Sequence, residues 1–227
     1  MTRFRIDMTL TDTQEWISSV RAYLEDITKV IPEVRARKHQ ELKKVAEELG
    51  WDYEQFRAEA DLLSSEDDLS RVLTYSTIVL LQMIVETQLA ALAKQLGKLH
   101  KVDLRLNEIY GNSVIERSHI YLKKVIKLDL DIKQDPAWKD LTNLAKLRHQ
   151  IVHRRGCQGP EEKDQRAIEE MRREYPGELS LSGPPQDENS VIEITPTLCQ
   201  RFADSIKGFF NRILDASRLG SPSPFVH

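Results

Sequence analysis

Apolar residues recur every three or four positions along most of this chain, the period of helices packed on one face. The first series is Trp16, Ile17, Val20, Tyr23, Leu24, Ile27 and Val30. Asp12 or Thr13 is placed to cap a helix starting near Gln14, and residues 1–10 read equally as a short strand or an arm. Pro32 is expected to kink or break this helix, with helix formers continuing over 33–48 to Gly50. A short helix is expected over 52–63. Ser64 or Ser65 then caps a long helix to about Leu96, with Glu66, Asp67 and Asp68 in the first turn, where the dipole favours acids, and with Gly97 as its end.

That long helix is apolar on nearly every side between 72 and 93, which places it at the centre of a bundle or in a dimer interface. Residues 98–111 read as a basic, irregular link, and 113–128 as another helix. Asp135 and Pro136 supply a cap and a first-turn proline for a helix over 137–154, stopped by Gly156 and Gly159-Pro160. The polar stretch 157–190 is expected to be a mobile excursion with at most one short helix, its segment 161–174 a solvated helix or loop. Residues 191–194 alternate as a short strand. A last helix over 196–218 buries Phe202, Ile206, Phe209, Phe210, Ile213 and Leu214. The expected fold is all-α, a helical bundle with a short strand or hairpin before the last helix. Residues 1–67 form a helical extension, 68–218 the main domain, and 219–227 a disordered tail.

Composition narrows the function. The 33 basic and 36 acidic residues give a formal charge of -3, so no global basic field draws in nucleic acid, and an RNA must be gripped locally. Two cysteines, Cys157 and Cys199, make neither a disulfide framework nor a metal cluster and read as free thiols of a reducing cytoplasm. The N-terminus lacks an apolar core of signal-peptide length. The run 72–93 is about as long as a membrane span. Its Thr74, Ser76, Thr77, Gln82, Glu86, Thr87 and Gln88 favour a buried bundle helix and a cytoplasmic protein with no membrane partner.

One position breaks the pattern. On the helix over 137–154, Leu141, Leu144, Ala145 and Val152 share a face, with Trp138 at its edge, and Arg148 falls in the middle of it. A guanidinium there is costly to bury unless a negative group meets it. Glu86, the only charge between Val72 and Ala93, is the candidate partner; the pair either orients a site or is a purely structural buried ion pair. His153 lies five residues on, about 140° round the helix, so the two residues are expected to flank a groove rather than stack. Across a two-fold axis, two arginines and two histidines would converge on one cleft. That set suits RNA phosphodiester cleavage. Histidine moves the 2′-OH proton, arginine matches the charged phosphate oxygens, and the ribose supplies the nucleophile without a cofactor or metal. Arg154 and Arg155 are placed either to hold flanking phosphates or simply to complement a helix C-terminus.

The run Leu144, Ala145, Lys146, Leu147, Arg148, His149, Gln150, Ile151, Val152, His153, Arg154, Arg155, Gly156 resembles the HEPN family (higher eukaryotes and prokaryotes nucleotide-binding). Its catalytic members carry arginine, a polar residue, three more residues, then histidine. The R-x4-H pair alone is unspecific; the preceding Trp138 and leucines, the stop at Gly156 and the late strand and helix add to it. The resemblance covers residues 68–218. It implies a bundle dimerising through its motif helices and an endoribonuclease leaving 2′,3′-cyclic phosphate and 5′-hydroxyl ends. It also implies a toxin or antiphage effector, often restrained by an antitoxin or other regulatory partner. The polar second position makes His149 a supporting residue, and an acidic residue on an early core helix matches Glu86.

Three other readings stand beside this one. The chain could be a non-catalytic HEPN module that binds nucleotide or RNA, or only dimerises, with a partner protein. His149 and His153, at i and i+4, could hold a metal, with Glu86 as the third ligand. It could be a helical scaffold with no site. His39, His100 and His119 read as surface or satisfied residues, and Lys123, Lys124 and Lys127 as a basic stripe that is either a solvated face or the border of an RNA path.

Overall fold

In the computed structural model, which describes residues 2–56, 68–129, 131–185 and 187–219, the chain is an all-α bundle with a two-stranded antiparallel hairpin before the last helix. The helices are α1 (Thr2–Leu49), α2 (Asp68–Leu99), α3 (Val114–Ile120), α4 (Pro136–Arg154), α5 (Glu162–Glu174) and α6 (Pro196–Leu219); the strands are β1 (Leu179–Ser182) and β2 (Val191–Ile194). The expected short helix over 52–63 and the Ser64/Ser65 cap fall largely or wholly outside the described residues, as does all but the first residue of the tail 219–227.

Helix α1 runs unbroken through Pro32, and through Asp12 and Thr13, so neither the break nor the cap forms, and residues 2–10 are helical rather than strand or arm. Its Ile17, Val20 and Leu24 join the same buried cluster as Leu81, Leu89, Leu144 and Phe202, so the N-terminal helix shares the core of the bundle. Helix α2 is the central element, in contact with α1, α3, α4 and α6. By length and composition Leu69–Leu99 could cross a membrane, yet half of its most apolar window is buried inside the fold, as a core helix requires. It does not end at Gly97 but two residues later. Gly97 instead makes room for Tyr121, whose hydroxyl would lie only 2.4 Å from an added Cβ.

The helix expected over 113–128 is α-helical only to Ile120. Ser113 caps it through its Oγ, which accepts from the Glu116 amide at 3.1 Å, and a π-turn over Tyr121–Val125 buries Tyr121 and Leu122 together. Asp135 caps α4 as its sequence indicates, accepting from the Ala137 amide at 2.8 Å. The same carboxylate takes a two-pronged ion pair from Arg212 of α6, at 2.5 and 2.6 Å, tying the start of α4 to the last helix.

The stretch 157–190 is a packed piece of the fold, not an excursion. Helix α5 buries Ile168 and Met171, and β1 pairs with β2 from Leu179–Ile194 to Ser182–Val191. Between α4, α5 and α6 lies a buried polar knot. The Tyr175 hydroxyl donates to Asp140 Oδ1 at 2.6 Å and accepts from Asn143 Nδ2 at 3.0 Å, while Ser205 donates to the other Asp140 oxygen. Tyr175 is fully buried, and burial pushes its phenol far above the usual range, so it remains a donor. Tyr175→Phe leaves Asp140 and Asn143 without that partner. Denaturant unfolding is expected to show a loss of about 1–3 kcal/mol; an unchanged midpoint would mean that the knot carries no stability.

Candidate active site

The candidate chemistry sits at the C-terminal end of α4. The buried stripe of that helix is Ala137, Leu141, Leu144 and Leu147, with Ile151 packed against the core. Arg148 is therefore at the edge of the stripe and half-buried, not in its middle, and Val152 is 47% exposed. The edge position removes the need for a buried counter-charge. Accordingly, Glu86 does not meet Arg148. Among the described residues no ion pair links them, and the Glu86 carboxylate instead accepts from Gln82 Nε2 at 2.8 Å on its own helix. The orienting role expected of Glu86 is not formed in this chain.

Arg148 turns to His153. Its Nη1 stands 3.5 Å from His153 Nε2, where it can donate to a neutral ring. The expectation that 140° of helix rotation keeps them apart underrated the reach of an arginine stem, which spans that arc along the surface. His153 is exposed, and its ring lies 4.7 Å from that of exposed His149, tilted by 46°. Arg148, His149 and His153 thus form one open cluster with exposed Val152 among them.

The two following arginines part company. Arg154 is engaged by α5, with Glu161 Oε1 at 2.9 Å and Asp164 Oδ2 at 3.5 Å, so it fixes the loop and is not free for phosphate. Arg155 is exposed and adopts the left-handed conformation that ends the helix (φ 56°). Gly156 follows with φ 79° and sits flush against Tyr75 of α2. The Tyr75 hydroxyl donates to the Ile192 carbonyl at 2.6 Å and lies 3.3 Å from that of Gly156. The chain then runs beside β2, with Ile192 donating to Gly156 and Gln158 to Ser190. The exposed histidines are therefore mounted on a backbone clamped by the core helix and the hairpin. Tyr75 has no sequence signature as a clamp; Gly156 is the signal that could have pointed to a close approach there.

Two histidines alone do not make a metal site. Among the described residues no group of three or more His, Cys, Asp or Glu side chains is arranged to hold an ion, and Glu86 does not join the two histidines in one. His119 is neither the surface nor the satisfied residue expected of it: it is 8% exposed, its ring lies 5.3 Å from Trp138, and its Nδ1 has no hydrogen-bond partner. No protein-family model, curated protein or solved structure matches the chain.

Proposed function

We propose that this chain is a metal-independent endoribonuclease of the HEPN type, working as a homodimer in the cytoplasm. The observation that carries the reading is the Arg148–His153 contact at 3.5 Å on an exposed, rigidly mounted helix end. An arginine and a histidine held together at a surface are the pair that a phosphodiester transesterification needs. In the proposed reaction a histidine takes the proton of a ribose 2′-OH, whose oxygen bonds to the adjacent phosphorus. The P–O5′ bond breaks, and the 5′ oxygen receives a proton from a second histidine. The ends are a 2′,3′-cyclic phosphate and a 5′-hydroxyl. Arginine, always charged, faces the non-bridging oxygens as their charge builds.

Base and acid must act together, so two histidines are needed; in the proposed dimer each copy supplies its His153, with His149 beside it in a supporting role. Exposed Val152, among the three polar residues, is the apolar surface on which two α4 ends would meet. Arg155 remains available for a flanking phosphate. A toxin or antiphage role, with an antitoxin or regulator restraining the site, follows from the HEPN resemblance.

The test is incubation of the purified chain with a mixed pool of single-stranded RNA in EDTA, with the fragment ends analysed chemically and the mass measured by sedimentation. Cleavage to cyclic-phosphate ends by a dimer is the expected result. Cleavage that EDTA abolishes, or a chain that cuts as a monomer, would overturn the mechanism. A dimer that binds RNA without cutting it would favour the binding-module reading.

A further inference from the structure

We infer that the cavity between α3, the Tyr121–Val125 turn and α4 holds one nucleotide of the RNA that runs past Arg148 and His153, which rests on the ribonuclease reading and gives that site a binding pocket. The cavity measures about 580 Å³ and is lined by His119, Lys124, Lys133, Trp138, Thr142 and Ala145 among others. Four features fit it to a nucleotide.

The first is its charge. Lys124 and Lys133 are exposed and, among the described residues, form no ion pair, whereas neighbouring Lys123 is held by Asp131 at 3.3 Å. Glu116, also at the rim, accepts from the Asn112 amide at 2.9 Å and keeps its negative charge, so the two lysines leave the rim net positive by one charge. The second is its wall. Trp138 presents an indole, and aromatic surfaces take any base by stacking.

The third is His119. It is more than nine-tenths buried, and its Nδ1 has no hydrogen-bond partner. An orphan of this kind calls for a ligand group or a water. Burial, with Lys133 and Lys123 nearby, pulls the ring below the ordinary imidazole range, so it meets a ligand neutral, as one donor and one acceptor, suited to a base edge.

The fourth is direction. Trp138, Thr142, Ala145 and His149 fall within an arc of about 60° on α4, so the cavity wall continues along one helix face into the cluster. Ala145 is about 6 Å of helix rise from His149 and about 12 Å from His153. A single strand lying along this face would place one nucleotide in the cavity and a neighbouring phosphate at the Arg148–His153 pair. Lys124 then belongs to an RNA path, while Lys123 is paired and outside it.

The experiment measures binding, by fluorescence anisotropy, of a labelled 2′-O-methyl oligonucleotide that cannot be cut. It compares the native chain with Lys124→Glu/Lys133→Glu and with a control of equal charge change at two exposed lysines that do not line the cavity, Lys163→Glu/Lys207→Glu. A third variant, Ala145→Phe, narrows the cavity without changing charge, and circular dichroism verifies its fold. The expected result is about tenfold or greater weakening by the cavity pair, a clearly smaller effect of the control, and weakening by Ala145→Phe. Equal losses in both charge pairs, or no loss in the cavity pair, would overturn the subsite. So would binding of a free nucleoside monophosphate in the cavity without binding of the oligonucleotide. Oligonucleotide binding through the cavity by a chain that cuts no RNA would retain the subsite and remove the ribonuclease. RNA cleavage unaffected by the cavity variants would do the reverse.

Discussion

Arg148→Ala and His153→Ala are each expected to reduce RNA cleavage by about 10²–10⁴-fold while leaving the melting temperature close to that of the native chain. Structure argues for the second half of that statement. His153 is exposed, Arg148 is half-buried at the edge of the packed stripe, and among the described residues neither forms an ion pair. Truncating either removes a group from a surface cluster, not from the core. Arg148→Lys retains the charge but loses the planar fork, so it should recover only part of the rate. His149→Ala separates mechanisms. It leaves base, acid and phosphate clamp in place and should alter the rate modestly, whereas a two-histidine metal site would be abolished along with its sensitivity to chelator. In the proposed dimer, base and acid are the His153 side chains of two copies, so a mixture of His153→Ala and Arg148→Ala chains, which leaves one His153 per mixed dimer, should stay inactive. Native rates from either single variant would leave the cluster without a catalytic role.

The architecture and the placement of Arg148 and His153 at the end of α4 were legible because both rest on periodicity and local punctuation. The Asp135-Pro136 start of α4, its stop before Gly156 and the apolar side of α6 are all local statements, and all are present. What escaped depends on which way a helix is turned. Leu141, Leu144, Ala145 and Val152 do share a face, but Leu147 and Ile151 complete the stripe that packs, which rotates Arg148 to the rim and dissolves the reason for Glu86 to meet it. Sequence fixes the angles between residues of one helix, not the direction of its neighbours. Helix α5 falls on the segment read as a solvated helix or loop, and what escaped was its packing: with only Ile168 and Met171 buried in a charged segment, its apolar period is too thin to stand out, although those two anchors suffice to pack it. The Tyr75 clamp joins residues 81 and 117 positions apart, and no local pattern encodes such a contact.

That clamp yields the largest expected effect on stability. Gly156→Ala places a Cβ 2.2 Å from the Tyr75 hydroxyl and 2.3 Å from its ring carbon Cε2, in a left-handed backbone that alanine disfavours. The conformational cost is about 1–2 kcal/mol. Displacing a ring that is wedged between α2 and the hairpin adds about 1–3 kcal/mol. Urea unfolding should therefore show a loss of about 2–5 kcal/mol, the sum of the two. The Tyr75 phenol is pushed far above its usual range by burial, so it stays a donor to Ile192 and cannot leave its place without stranding that carbonyl. Tyr75→Leu withdraws the ring and the hydroxyl together. It is destabilising alone, but in the double variant the alanine should cost less than in the native background, a coupling of about 0.5–3 kcal/mol. Strictly additive losses would mean that the glycine answers only to its own backbone angle. Coupling would mean that the packing between the core helix and the hairpin sets the exit of α4. Where the single variant still folds, its cleavage rate should fall as well, because His153 stands three residues before the displaced glycine and is positioned by the backbone that the glycine fixes.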